Sequence, residues 1–229
     1  MSAIADNLQA VQARISDAAA LAGRSPESIR LLAVSKTWPL ASVLEAADAG
    51  QRAFGENYVQ EGIDKVAATA GRNLEWHFIG PLQSNKSRAV AEHFDWVHSI
   101  ERLKIAERLS AQRPANLPPL QVCIQVNVSG EASKSGCAPD EALALCQAVA
   151  ALPGLQLRGL MAIPEPTDDP AAQRAQFHHV WEIYDHIRAA GIPLDTLSMG
   201  MSHDLEAAVA EGATIVRIGT AIFGERNYR

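Results

Sequence analysis

Short apolar runs alternate with helix-like stretches along nearly the whole of this chain, and that alternation restricts the fold more than any other feature. The runs fall at about 30–35, 52–55, 75–79, 95–98, 120–127, 155–162, 195–199 and 214–218. Stretches with helical spacing fill the intervals at about 40–49, 57–70, 84–92, 101–111, 139–151, 170–190 and 203–211. Gly50, Gly71, Pro118-Pro119, Pro153-Gly154 and Gly191 supply turn signals between them. Strands alternating with helices build a parallel sheet, so the class is α/β, and eight such units predict closure into a (β/α)8 TIM barrel. An open doubly wound sheet is the main competitor. Ile4, Leu8, Val11, Ile15, Ala18 and Leu21 share one face of an extra N-terminal helix, which Gly23 would end. The 229 residues contain no linker, repeat or low-complexity tract, so a single domain over 1–229 is expected.

Charge and cysteine usage narrow the partners. A net charge of -6 without a basic stripe argues against nucleic acid. Asp6, Gln9, Gln12, Arg14 and Asp17 interrupt the N-terminal segment, which reads as neither a signal peptide nor a membrane span, and a cytoplasmic location is expected. Cys123, Cys137 and Cys146 form no Cys-x-x-Cys pair and read as buried, inert thiols.

In a barrel the C-terminal ends of all strands converge on one face, so residues far apart in sequence can share a site there. The ends of these runs are chemically rich: Lys36, Glu56-Asn57, His77 and Gly80, His98-Ser99, Asn127, Met161, Ser198 to Ser202, and Arg217 to Thr220. A lysine at the end of a buried strand can be partly desolvated, which frees its amine to attack an aldehyde; a solvated charge closing a strand is the plainer role. The seventh and eighth ends are where barrels place a phosphate, on loop amides and a helix N-terminus. Ser198-Met199-Gly200-Met201-Ser202 would lead into a helix near His203 with a hydroxyl at its N-cap, and Gly219-Thr220 repeats that chemistry. An aldehyde-seeking amine facing a phosphate cup fits pyridoxal 5'-phosphate, or a sugar phosphate of a Schiff-base aldolase. Gly219 to Gly224 has P-loop glycine spacing, yet Glu225-Arg226 stand where Lys and Ser/Thr are required. No dinucleotide, zinc-helix or nucleophile-elbow motif is present, and the adjacent His178-His179 make poor joint metal ligands.

Several long runs are recognisable. Ala33 to Thr37, Phe54 to Glu61, Trp76 to Lys86, Gln125 to Val128, Ser133 to Gly136, Gly159 to Pro164, Leu197 to Ser202 and Val216 to Gly224 resemble the YggS/PROSC family of pyridoxal phosphate homeostasis proteins, in order and over essentially the whole chain. The resemblance implies a fold-type III barrel, like the N-terminal domain of alanine racemase, that holds pyridoxal 5'-phosphate as a covalent aldimine on the lysine matching Lys36. It implies Ser202, Gly219 and Thr220 at the phosphate, Arg217 facing the pyridine nitrogen, and Asn57, His77 and Met199 close to the cofactor. The implied role is vitamin B6 homeostasis and cofactor delivery, with apo pyridoxal phosphate enzymes as partners and no established catalytic turnover. An always-charged arginine at the ring nitrogen disfavours its protonation and mutes carbanion chemistry. A slow pyridoxal-phosphate enzyme acting on amino acids, such as a racemase, is the alternative; that racemase draws its second base from a further domain, and a monomer is expected here. Lys134, in the loop after the fifth run, is another amine able to react with an aldehyde, but Glu131, Ser133 and Ser135 beside it read as a solvated loop, and Lys36 ranks well above it.

Overall fold

The structure, a computed structural model, describes residues 3–130 and 135–225. Eight strands form a closed barrel in chain order, with each strand parallel to the next and the first paired to the last. They are β1 (Arg30–Val34), β2 (Ala53–Glu56), β3 (Glu75–Phe78), β4 (Trp96–Ile100), β5 (Leu120–Gln125), β6 (Leu155–Met161), β7 (Thr196–Ser198) and β8 (Ile215–Ile218). Every strand lies within or beside a predicted run. The strands are short and almost wholly buried because helices cover the outer face and side chains fill the inner one.

The helices are α1 (Ala3–Leu21), α2 (Leu40–Asp48), α3 (Val59–Ala68), α4 (Ser87–His93), α5 (Leu103–Gln112), α6 (Ala142–Ala150), α7 (Pro170–Ala189), α8 (Leu205–Ala210) and α9 (Thr220–Phe223). The N-terminal helix packs against α8, α9 and α2 through Leu8, Val11, Ile15 and Ala18. Gly23 ends it in the left-handed region at φ 65. Leu21 departs from expectation: its spacing fits the apolar face, yet it is 89% exposed. Two predicted helices start with a 3-10 turn, at Ser84–Lys86 and Pro139–Glu141. Cys123, Cys137 and Cys146 are buried and free, and burial raises all three thiols, as expected of inert residues.

Two layers of apolar packing follow from the alternation of side chains along a strand. The larger joins helices to the outer barrel face; the smaller gathers Leu32, Ala53, Trp96, Cys123, Met161 and Ile215 from six different strands, and so fills the barrel interior. The interior is unusual in its polar content: His77, His98, Ser198 and Arg217 are all buried there with Gln125.

Candidate functional site

An open cavity of about 190 Å³ sits at the C-terminal ends of the strands. Lys36, Asn57, Ser202, Arg217, Gly219 and Thr220 line it together, contributed by the ends of β1, β2, β7 and β8. Six of the eight predicted site residues therefore meet, across up to 184 positions of sequence. Val34, Ile79, Ile163, Met201 and His203 complete the wall, and nothing in the sequence singles out Ile79 or Ile163. His77 and Met199 lie apart from it. Both are fully buried, with His77 pointing into the barrel toward the opposite face and Met199 in the core beside β8.

Lys36 is partly buried, and the backbone on either side of it is clamped. Lys65, buried on α3, donates from Nζ to the Ser35 carbonyl at 2.8 Å and to Glu56 Oε1 and Glu61 Oε1, each at 2.7 Å. Ser35 Oγ donates to Glu56 Oε1 at 2.6 Å, and the Thr37 amide donates to Glu61 Oε1 at 2.7 Å. Both neighbours of Lys36 are thus held by one acid-lysine-acid cluster. Thr37 adopts φ 66, a left-handed conformation uncommon for a threonine, which its bond to Glu61 helps to maintain. Burial raises the Glu56 carboxyl, while Lys65 and Ser35, both donating to its Oε1, oppose the rise. Gly62 lets α3 approach: a Cβ there would stand 3.3 Å from Glu56 Cβ and closer still to the Phe94 ring. The Glu61-Lys65 spacing of four is visible in the sequence, but that pattern ordinarily marks an exposed helix pair, and only the fold shows it buried.

Around the rest of the cavity, Arg217 is held inside β8 by bonds from Nη1 to the Ser198 carbonyl (2.6 Å) and Oγ (2.8 Å) and from Nη2 to the Ala162 carbonyl (2.9 Å). Burial lowers it to about 10, so it remains a cation at neutral pH. Asn57 Oδ1 is buried with no hydrogen-bond partner among the described residues. Gly219 brings the end of β8 against β1, where a Cβ would meet the Val34 carbonyl at 3.2 Å. One local expectation needs correction: Ser202 does not cap α8. That helix starts at Leu205, and Asp204 occupies the cap position, where its Oδ1 accepts the Met201 amide at 2.5 Å. Ser202 stands in the preceding turn at the cavity wall, its carbonyl held by Arg14 at 3.1 Å. Lys134 lies outside the described residues.

The buried histidines give a pH dependence. Desolvation keeps His98 well below the ordinary value of 6.5 and lowers His77 despite Glu75, so both are neutral in the folded state. The unfolded chain binds their protons first as pH falls. Stability is therefore expected to be flat above about pH 7.5 and to fall below about 6.5, at a slope between one and two protons, roughly 1–3 kcal/mol per pH unit. Any proton that the raised Glu56 takes up in the folded state subtracts from that slope. Urea midpoints between pH 8 and 5.5 measure it, and a midpoint unchanged across that range would contradict neutral buried histidines.

Comparisons with known proteins show the family of the chain. The family model for the alanine racemase N-terminal domain matches residues 3–227. The chain is 64% identical over 228 residues to a pyridoxal phosphate homeostasis protein of Pseudomonas aeruginosa, covering 100% of this chain and 98% of that protein. It is 58% identical over 231 residues to a protein of the same description from Escherichia coli K12, covering 100% and 99%. A solved structure of PipY from Synechococcus elongatus, with pyridoxal phosphate bound, shares 39% identity and superimposes with a TM-score of 0.83 over 96% of this chain and 100% of that one.

Proposed function

The chain belongs to the YggS/PROSC family of pyridoxal phosphate homeostasis proteins, within the wider family of the alanine racemase N-terminal domain, and from that premise we propose that its cavity binds pyridoxal 5'-phosphate through Lys36. The observation that carries this reading is the convergence of Lys36, Arg217, Ser202, Gly219 and Thr220 on one cavity at the barrel mouth. When bound, the cofactor supplies an aldehyde able to condense with a primary amine.

The residues present fit that ligand. Lys36 offers the amine, on a segment whose backbone cannot drift because the Lys65 cluster holds it from both sides. Ser202, Gly219 and Thr220 offer hydroxyls and close backbone approach for a phosphate. Asn57 Oδ1, buried and with no hydrogen-bond partner among the described residues, offers an acceptor at the wall. Arg217, donor-only and cationic, disfavours a proton on a ring nitrogen facing it, which weakens the ring as an electron sink and favours holding over turnover. His77 and Met199 act behind the wall. The open mouth of the cavity supports release to apo enzymes in the cytoplasm. Among the described residues no helix is long and apolar enough to cross a membrane.

Borohydride reduction of the protein loaded with pyridoxal 5'-phosphate, followed by digestion and peptide mass mapping, is expected to place one phosphopyridoxyl group on Lys36. Label found mainly on Lys134 or Lys65, or no label at all, would overturn the assignment.

A further inference from the structure

A line of hydrogen bonds crosses the barrel interior from the cavity to the opposite face. Arg217 Nη1 donates to Ser198 Oγ at 2.8 Å, Ser198 Oγ contacts His98 Nδ1 at 2.7 Å, His98 Nε2 contacts His77 Nδ1 at 2.8 Å, and His77 Nε2 contacts Glu75 Oε1 at 2.6 Å. Glu75 opens β3, so it lies at the N-terminal ends of the strands, where it borders a cleft of about 550 Å³ and keeps 31% of its side chain exposed. Lys36 follows the far end of β1. Four strands, β3, β4, β7 and β8, supply the members, and between the two ends Ser198, His98 and His77 are all fully buried.

The chemistry of the two ends fixes where every proton in the line sits. A guanidinium can only donate and a carboxylate can only accept. The His77 Nε2 must therefore carry the hydrogen given to Glu75. A neutral His77 then has a bare Nδ1, which accepts from His98 Nε2–H; a neutral His98 has a bare Nδ1, which accepts the Ser198 hydroxyl hydrogen. Ser198 Oγ is left with lone pairs toward Arg217, and that is the orientation in which the arginine can donate to it. In the opposite order the Ser198 hydrogen would have to turn away from His98 while Arg217 donates on the other side, leaving a buried donor without an acceptor. Burial keeps both rings neutral, as the one-way order requires.

Resting on the reading that Arg217 faces the ring of a bound pyridoxal 5'-phosphate, we propose that Glu75 is a positioning residue for that site. From the opposite face of the barrel, through His77, His98 and Ser198, it sets the proton order that holds the Arg217 guanidinium in place. Arg30, whose Nη1 pairs with Glu75 at 2.7 Å, stands outside this line and affects only the charge beside it.

Long-range 1H–15N spectra of the 15N-histidine-labelled protein without cofactor test the proton order directly. His77 and His98 are both expected as neutral Nε2–H tautomers; a hydrogen on Nδ1 of either ring, or a doubly protonated ring, would sink the proposal whatever the site binds. Glu75→Leu, which removes the acceptor, is expected to change the tautomer of His77 or His98 and to weaken retention of pyridoxal 5'-phosphate about tenfold, the equivalent of about 1.4 kcal/mol and within the cost of one buried unpaired donor. Arg30→Gln removes the ion pair but keeps the acceptor, and is expected to leave tautomers and retention unchanged. Equal loss of retention in both variants would show a structural ion pair and overturn the assignment. If Glu75→Leu fails to fold, His98→Leu interrupts the line without touching Arg217: an about tenfold loss with His77 still Nε2–H supports the proposal, and unchanged retention refutes it. A wild-type chain that shows the expected tautomers but takes up no pyridoxal 5'-phosphate would remove the cofactor reading while leaving the proton order standing.

Discussion

Replacing Lys65 by methionine is expected to lower stability by about 3–5 kcal/mol, the usual cost of removing one partner from a buried ion pair. Lys65 has 6% of its side chain exposed and Glu56 none, so the Coulombic loss at Glu56 is hardly screened, whereas Glu61, at 28%, is relieved in part by water. With the ammonium gone, two carboxylates share one small volume beside Ser35, and Glu56 takes up a proton to escape repulsion. The second consequence is local. The Ser35 carbonyl loses one of its two donors and keeps the Trp38 amide at 3.0 Å, so the peptide before Lys36 is held less firmly while Thr37 remains tied to Glu61. The double variant Lys65→Met with Glu56→Gln is expected to recover part of the stability, because the two sites are in direct contact and their effects are not additive. It is not expected to restore fixation of borohydride label at Lys36, since neither new side chain reaches the Ser35 carbonyl as a cation did. Urea midpoints and label stoichiometry, measured on both variants, separate the two effects. A single variant within 1 kcal/mol of wild type would show that the cluster is a surface ornament rather than a clamp.

Gly159→Ala is expected to be the most damaging single methyl in the barrel. Gly159 lies on β6 opposite Thr196 of β7, and a Cβ built on it would fall inside the van der Waals envelope of the Thr196 carbonyl oxygen, with Thr196 carbonyl carbon 2.6 Å away. The neighbour is backbone in a closed sheet, so neither strand can yield without breaking the ladder on its other side. The site is also where β5 and β6 shift register, Val122 facing Leu157 and Cys123 facing Gly159, so the extra residue Arg158 is accommodated next to it. A cost of roughly 3 kcal/mol or more, and a fall in Tm of roughly 10 °C, follows from overpacking of this kind in a chain of this size. Thermal unfolding followed by far-UV circular dichroism measures it. A variant that melts within 2 °C of wild type would mean that β6 and β7 can separate here without penalty.

The barrel was legible because its signals are local. A buried strand needs four or five apolar residues in succession, and a covering helix needs an apolar face at helical spacing; both are periods that a sequence displays without its partners. The strands and helices duly fall within a few residues of their expected bounds, apart from the start of α8, where Asp204 rather than Ser202 occupies the cap position and its side chain turns back to the Met201 amide. Either residue type can cap, and only the turn geometry selects between them. The strand-end rule likewise brought Lys36, Asn57, Ser202, Arg217, Gly219 and Thr220 to one cavity, since parallel closure puts all C-terminal ends on one face.

Direction and partner were not legible in the same way. His77 stands near a strand end like the others, yet its ring turns down the barrel toward Glu75, two residues earlier, and away from the cavity. Lys65 looks like one half of an exposed helical pair and is instead the buried centre of the clamp behind Lys36. The sequence by itself determined the alternation of elements and the face on which the chemistry gathers, because both are written in the spacing of neighbouring residues; spacing alone left Lys36 open between a solvated charge and a reactive amine. Only the tertiary structure decided which polar groups lie inside the barrel and in what order they touch. Those contacts join β3 to β4, β7 and β8 across as many as 100 positions of chain, and the closure of the sheet, rather than any local preference, sets the distances between them.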